Sequence, residues 1–262
     1  MDWGMKNRLS RIIKSDGRTV MLALDHGYFL GPVSRMEEPA KVIAPLLSYA
    51  DSIMLTRGVL RTSVDACKDI PVVLRVSGGN SILDEDLSHE GITVSMDDAV
   101  RLNVCAVAIS IYLGAPHQHQ TLINLARLID EGQEKGIPVL AVTAVGKELE
   151  KRDARFLSLS SRIAAELGAN IVKTYYCDGF EKVVKSCPVP IVIAGGPRLK
   201  TETDALELSY NAIKEGAVGV DMGRNIWQSS NPVGMIKAIR AIVHEKASVK
   251  EATKIFIGHK SG

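Results

Sequence analysis

Lys173 stands in the run Ala169-Asn170-Ile171-Val172-Lys173-Thr174-Tyr175, which is otherwise mostly apolar or β-favouring. Burial disfavours an ammonium ion, and a free amine in a pocket attacks a carbonyl carbon to form a Schiff base. The plainer alternative is a stem that packs while the head reaches water. Asp25 and His26 form a second group, directly after the apolar run TVMLAL at 19–24. There an acid could orient or protonate an amine and an imidazole could move a substrate proton; the alternative is an ordinary turn cap. A third group is rich in glycine: Ala194-Gly195-Gly196 and Asp221-Met222-Gly223-Arg224-Asn225. Glycines let backbone N–H groups approach a phosphate, and Arg224 adds a fork-shaped charge. Arg57, in Thr56-Arg57-Gly58, is a further candidate for the same anion.

All these residues end or follow short apolar runs. The runs are TVMLAL (19–24), DSIMLT (51–56), PVVLRV (71–76), VCAVAISI (104–111), IPVLAVT (137–143), ANIVKTY (169–175), VPIVIA (189–194) and AVGVDM (217–222). Near-continuous apolar segments of this length suit parallel strands covered on both faces. Helical patterns separate them. Ser34-x-x-Glu37, Ser95-x-x-Asp98, Thr201-x-x-Asp204 and Ser248-x-x-Glu251 read as capping boxes, and Gly136 and Gly168 as stops. Eight such units with no linker predict an α/β fold, a single (β/α)8 TIM barrel over residues 1–262; an open doubly wound sheet is the competing architecture. Residues 1–18 are expected to form an N-terminal lid or plug, and 248–256 a final outer helix. In such a barrel the chemistry collects at the C-terminal ends of the strands, with phosphate after the last two.

The chain has 262 residues and a formal net charge of +2, which provides no broad field for nucleic acid or an anionic membrane. Cys67, Cys105, Cys177 and Cys187 include no C-x-x-C pair and read as reduced thiols of a cytoplasmic protein. No apolar stretch reaches the ~20 residues of a membrane span, and Met1-Asp2-Trp3-Gly4-Met5-Lys6 lacks a signal-peptide core. His89, His117, His119, His244 and His259 read as surface residues. His117 and His119 lack a third ligand nearby, so no metal is expected.

The segments Ala23-Leu24-Asp25-His26-Gly27, Ile171-Val172-Lys173-Thr174-x-Tyr176, Val192-Ile193-Ala194-Gly195-Gly196-Pro197 and Gly223-Arg224-Asn225-Ile226-Trp227-Gln228 resemble the archaeal-type class I fructose-bisphosphate aldolases over nearly the whole chain. That resemblance implies a (β/α)8 barrel, Lys173 as the Schiff-base residue, Asp25 as the acid that assists it, and no cofactor. It also implies a homo-oligomer, commonly a decamer of two five-membered rings. Asp2-Trp3-Gly4-Met5, Asp25-His26-Gly27-Tyr28-Phe29 and Ser95-Met96-Asp97-Asp98-Ala99-Val100-Arg101-Leu102-Asn103 look most like the family's thiolase branch. Its reaction moves an acetyl group from a phosphorylated pentane-dione to coenzyme A and leaves dihydroxyacetone phosphate; the resemblance implies roles there for Lys173, Asp25 and His26.

One departure separates the branches. In the sugar-phosphate aldolases the fifth strand ends in a Tyr-Pro-Arg-Gly loop whose tyrosine shuttles the proton. Aligned from Pro138, this chain has Ala144 in that place. The expected substrate is therefore a phosphorylated ketone, cleaved next to its carbonyl with coenzyme A as co-substrate. A Schiff-base aldolase acting on a sugar phosphate, and a non-catalytic sugar-phosphate-binding protein, are the alternatives. Binding alone needs only the glycine loops and Arg224, which leaves Lys173 and Asp25 unexplained.

Overall fold

The computed structural model describes residues 1–145 and 152–258. His259, named above, lies outside the described residues. Eight parallel strands close into a barrel: β1 (Thr19–Ala23), β2 (Ser52–Thr56), β3 (Val72–Arg75), β4 (Ala106–Ile111), β5 (Val139–Thr143), β6 (Ile171–Tyr175), β7 (Ile191–Ala194) and β8 (Gly219–Met222). Each strand pairs with its neighbours in sequence, and β1 closes on β8 with Met21 opposite Asp221. The open-sheet alternative is thereby removed. A short antiparallel ladder, Ser77–Gly78 with Gly91–Ile92, rises above β3.

The strands set which side chains enter the barrel, because successive residues point to opposite faces. In β6, Val172 packs into the layer between strands and helices, while Ile171 belongs to the barrel interior. Lys173 shares the parity of Ile171 and faces inward. The same rule turns Asp221 inward between Val220 and Met222, which face the helices. It turns Arg75 inward after Leu74, and Ala144 inward beyond Leu140 and Val142. The outward residues meet the helical layer at essentially full burial, each worth about 1.5–3 kcal/mol for a large aliphatic side chain.

The N-terminal helix Trp3–Ile12 packs at the end of the barrel away from the polar mouth. Ile12 is fully buried against Met21, Met54, Val73, Leu140 and Ile171 inside the barrel, at the end opposite the strand C-termini. Asp2 caps this helix through Met5 N at 2.7 Å, and Arg8 ties it to Gly136 O at 3.0 Å.

The expected helix caps are met in part. Thr201 and Asp204 form a complete capping box, and Ser248 and Glu251 exchange the same two bonds ahead of the helix Val249–Gly258. Ser95 accepts from Asp98 N, but the Asp98 carboxylate turns instead to Arg57, Arg61 and Arg101. Ser34 caps no helix among the described residues: the helix there begins at Pro39, after Glu38 in a non-helical conformation. A residue before proline is disfavoured in the helical region, so a helix begun at Ser34 could not run through Glu38.

His244 is also not the surface residue expected. Its Nδ1 and Nε2 each lie 2.7 Å from a carboxylate, Asp16 and Asp51 respectively, and Asp51 additionally accepts from Arg240 and from Val20 N. Two hydrogen-bonded carboxylates raise the histidine above its ordinary pKa against the opposing effect of burial. The cluster fastens the helix Pro232–Glu245 to the loops that precede β1 and β2.

Candidate active site

Lys173 is 7% exposed, and its Nζ stands 2.8 Å from Asp221 Oδ2 across the mouth of the barrel. Asp221 is 1% exposed, and its Oδ1 has no hydrogen-bond partner among the described residues. Burial raises the Asp221 carboxyl above the ordinary carboxylate range despite the attraction of Lys173. The two groups therefore form a couple between which a proton can pass.

Asp25 is held differently. Arg75 reaches its Oδ2 with Nε and Nη2, each at 2.9 Å, and both side chains are almost fully buried. Burial alone would raise the Asp25 carboxyl; Arg75, Lys173 and His26 outweigh it and hold it below its ordinary value. Asp25 is thus an ionised carboxylate at neutral pH. The resemblance implied an acid in this place; an ionised carboxylate instead presents a fixed negative charge to Lys173. A proton donor is better sought in Asp221.

Behind Arg75 lies a buried network. Arg75 Nη1 donates to Ser110 Oγ at 2.8 Å, and Ser77 Oγ donates to Glu90 Oε2 at 2.7 Å. Tyr28 and Tyr112 hydroxyls both donate to Glu90 Oε1, at 2.7 and 3.0 Å. The ladder above β3 brings Glu90 over the mouth. A carboxylate filled by three hydroxyls is a rigid support for the guanidinium that fixes Asp25.

His26 packs edge-on against Trp227, with ring centroids 5.7 Å apart, and its Nδ1 has no hydrogen-bond partner among the described residues. Nδ1 lies 3.9 Å from Asp25 Oδ1, too far for a hydrogen bond. Burial lowers His26 to about 4, with Asp25 opposing the shift and Arg224 and Lys173 adding to it. The ring is neutral at pH 7, with one nitrogen free to accept a proton. Because the folded value lies below the unfolded one, the stability linked to neutral His26 is present above about pH 6.5 and is lost as pH falls toward 4. Thermal melts should show the parent losing more stability than His26→Gln between pH 7 and pH 4.5. Parallel losses would mean that the ring is not buried as a neutral base.

The glycine loops meet at the same mouth. Asn225 joins them: its Nδ2 donates to Gly195 O at 2.9 Å, and its Oδ1 accepts from Leu199 N at 2.8 Å. Gly223 is needed because a Cβ there would stand 2.3 Å from Ala23 O, and Gly196 because its φ is +67°. Arg224 and Arg152 each hold a buried Nε with no partner among the described residues. Arg152 also lies over the Tyr175 ring at 3.8 Å and beside Gly196. Two unspent guanidinium donors beside two glycine loops form a cradle for an anion.

The structure thus brings Lys173, Asp25, His26, Gly195, Gly196, Gly223 and Arg224 around one cavity of about 130 Å³. Arg57 is not among them. It binds Asp98 at 3.2 Å and opens onto a neighbouring cavity that shares only Tyr28 and Arg75 with the first. Sequence reasoning missed Asp221 as the partner of Lys173, and Glu90, Tyr112 and Arg152 altogether. Side-chain parity on β8 could have found Asp221; no local pattern marks Glu90 or Arg152. Among the described residues no group of three or more His, Cys, Asp or Glu could hold a metal, and no helix is long and apolar enough to cross a membrane.

An amine that attacks a ketone must give up a proton and later recover one, and a buried carboxyl beside it serves both needs. A parallel barrel built around such a couple is of the lysine-dependent aldolase type. Residues 19–229 match the DeoC/LacD family aldolases, and the chain belongs to that family of enzymes. The 3-hydroxy-5-phosphonooxypentane-2,4-dione thiolase of Yersinia pseudotuberculosis is 56% identical over 259 residues, covering 98% of this chain and 88% of the relative. The same-named protein of Salmonella typhimurium is 55% identical over 263 residues, covering 100% and 89%. Among solved structures, an archaeal fructose 1,6-bisphosphate aldolase superposes with a TM-score of 0.83 at 26% identity over 92% of this chain and 99% of its own. The Schiff-base-forming fructose-1,6-bisphosphate aldolase does so with a TM-score of 0.83 at 26% identity, covering 92% and 100%.

Proposed function

We propose that the protein cleaves a phosphorylated pentane-dione by transferring its acetyl group to coenzyme A, leaving dihydroxyacetone phosphate. The observation that carries this reading is Ala144. It stands on the inward side of the mouth, lining the cavity of Lys173, where an aldolase of this family needs a proton-shuttling hydroxyl. The thiolase name shared by relatives above half identity supports the same choice.

The phosphate is held by the backbone of Gly195, Gly196 and Gly223 with Arg224 and Arg152. Lys173 attacks the carbonyl beside the phosphate-bearing carbon, and water leaves as the imine forms. Asp221 takes the proton of the amine and returns it to the departing oxygen. Neutral His26 takes the thiol proton, and the thiolate adds to the acetyl carbonyl. As that adduct collapses, the C–C bond breaks and its electron pair enters the imine, giving an enamine and acetyl-coenzyme A. The proton on His26 goes to the enamine carbon, and hydrolysis frees dihydroxyacetone phosphate and Lys173. Asp25, fixed by Arg75, keeps negative charge near the cationic imine. No substrate hydroxyl has to lose a proton in this sequence.

Aldol cleavage of fructose 1,6-bisphosphate does require such a step, and a positioned general base typically contributes about 10²–10⁴ in rate. On one preparation, kcat/KM for coenzyme-A-dependent cleavage of the phosphorylated dione should exceed that for aldol cleavage by about that margin. Aldol cleavage at least as fast, without dependence on coenzyme A, would show that Asp25 or His26 replaces the tyrosine and would overturn the reading.

A further inference from the structure

Ala144 lines two cavities. One is the cavity of Lys173; the other, of about 210 Å³, lies beyond it between the ends of β4 and β5. The two also share Leu87 and Tyr112, so Ala144, Leu87 and Tyr112 form the partition between them. The side chain at 144 faces the barrel interior, and as a methyl group it leaves room at this partition that a longer side chain would occupy. The far side of the second cavity is built from Gly114, Ala115, Pro116 and Val145, with Glu85 and Asp86 also on its wall.

We infer that this second cavity receives the acyl acceptor, as a thiol carried on an uncharged, flexible, amide-bearing arm. The inference rests on the reaction proposed above and places its second substrate.

Three observations support it. The first is direction around the barrel. Phosphate donors sit after β7 and β8, the imine-forming amine on β6, and Ala144 and Tyr112 follow β5 and β4. A linear substrate anchored by phosphate at β7–β8 and bound to Lys173 at the next carbonyl extends its acetyl end toward β5 and β4. A nucleophile must reach that carbon from the space beyond Ala144. The second is charge. No cation lines the second cavity among the described residues, and two carboxylates do. Those carboxylates disfavour phosphate there, whereas the lysine cavity offers Arg224. An anionic head group therefore stays outside while the neutral arm enters. The third is size. The volume exceeds that of the lysine cavity and suits a thiol-ended chain of several heavy atoms, too large a space for a single attacking water to fill.

Two variants test the placement. Ala144→Leu closes the partition, and Ala115→Phe fills the outer cavity without touching the wall of the lysine cavity. Steady-state kinetics with coenzyme A and with the short thiol N-acetylcysteamine, at saturating phosphorylated dione, give KM for each acceptor. Borohydride trapping of dihydroxyacetone phosphate on Lys173 reports the half of the reaction that needs no thiol. Both variants should raise KM for coenzyme A by about tenfold or more, with Ala115→Phe still trapping dihydroxyacetone phosphate at close to the parent rate. If Ala144→Leu also loses trapping, Ala115→Phe decides alone. Parental KM for coenzyme A in Ala115→Phe, with thiol-dependent turnover intact, would place the acceptor elsewhere and leave the proposed reaction standing. A parent enzyme that shows no thiol-dependent cleavage of the dione would instead remove the reaction and this placement together.

Discussion

Lys173→Met should abolish borohydride-trapped labelling by dihydroxyacetone phosphate and lower kcat/KM on any phosphorylated ketone substrate by about 10⁴-fold or more. Methionine keeps the length and the apolar stem, so it tests the amine alone. The fold should tolerate it. The group left behind is Asp221, whose carboxyl burial already raises, and which can take up a proton when the ammonium 2.8 Å away is gone. A circular dichroism melt close to the parent together with lost labelling would fix the role on Lys173. Peptide mass analysis of the trapped parent gives the complementary result, with the added mass on the peptide containing Lys173. Labelling that persists in Lys173→Met on another lysine would show that the inward-facing amine is not the reacting one.

Arg75→Met should have the largest effect on stability. Arg75 and Asp25 have side chains 5% and 6% exposed, and their contact is doubled through Nε and Nη2. Removing one member of such a pair strands a buried carboxylate, which costs about 3–5 kcal/mol. The change also takes a donor from Ser110 and weakens the support that Glu90 provides through Ser77. The sign with pH is determined by Asp25. Its folded value is depressed, so its contribution is present above the unfolded carboxyl value and lost as pH falls through the folded one. Urea denaturation should therefore show the deficit of Arg75→Met in full at pH 7 and diminished near pH 3. A deficit below about 1 kcal/mol at pH 7 would mean that the pair adds little to stability beyond what solvent can replace.

The barrel was legible because eight apolar runs of strand length alternate with helical patterns, and closure follows once each strand pairs with its neighbours in sequence. Much of the site was legible for a related reason: strand ends in such a barrel converge on one mouth, which brought Lys173, Asp25, His26 and the two glycine loops together. What sequence could not supply was the choice of partner. Lys173 had two carboxylates within plausible reach, and only the pairing of β1 with β8 and the claim of Arg75 on Asp25 decide that Asp221 meets the amine. Glu90 arrives by a long excursion after β3, so its spacing from Tyr28 and Tyr112 carries no periodic signal. Arg57 misled because it follows a strand as the others do, yet it begins a helix whose side chains turn to Asp98. His244 misled because a histidine near the end of an amphipathic helix looks solvated until the loops before β1 and β2 bring Asp16 and Asp51 to it.

The clamp around His244 and the ring of His26 sit at opposite ends of the barrel and answer acid in opposite senses. Protonated His244 binds two carboxylates, so its contribution is full below the unfolded histidine value and fades as pH rises through the elevated folded one. His26 contributes while neutral and loses ground as pH falls toward about 4. Acidification therefore tightens the floor of the barrel first, as pH falls to about 6.5, and loosens the rim only below that. The molecule carries its response to acid at two poles: the base stiffens first, and only further acidification makes the mouth easier to open.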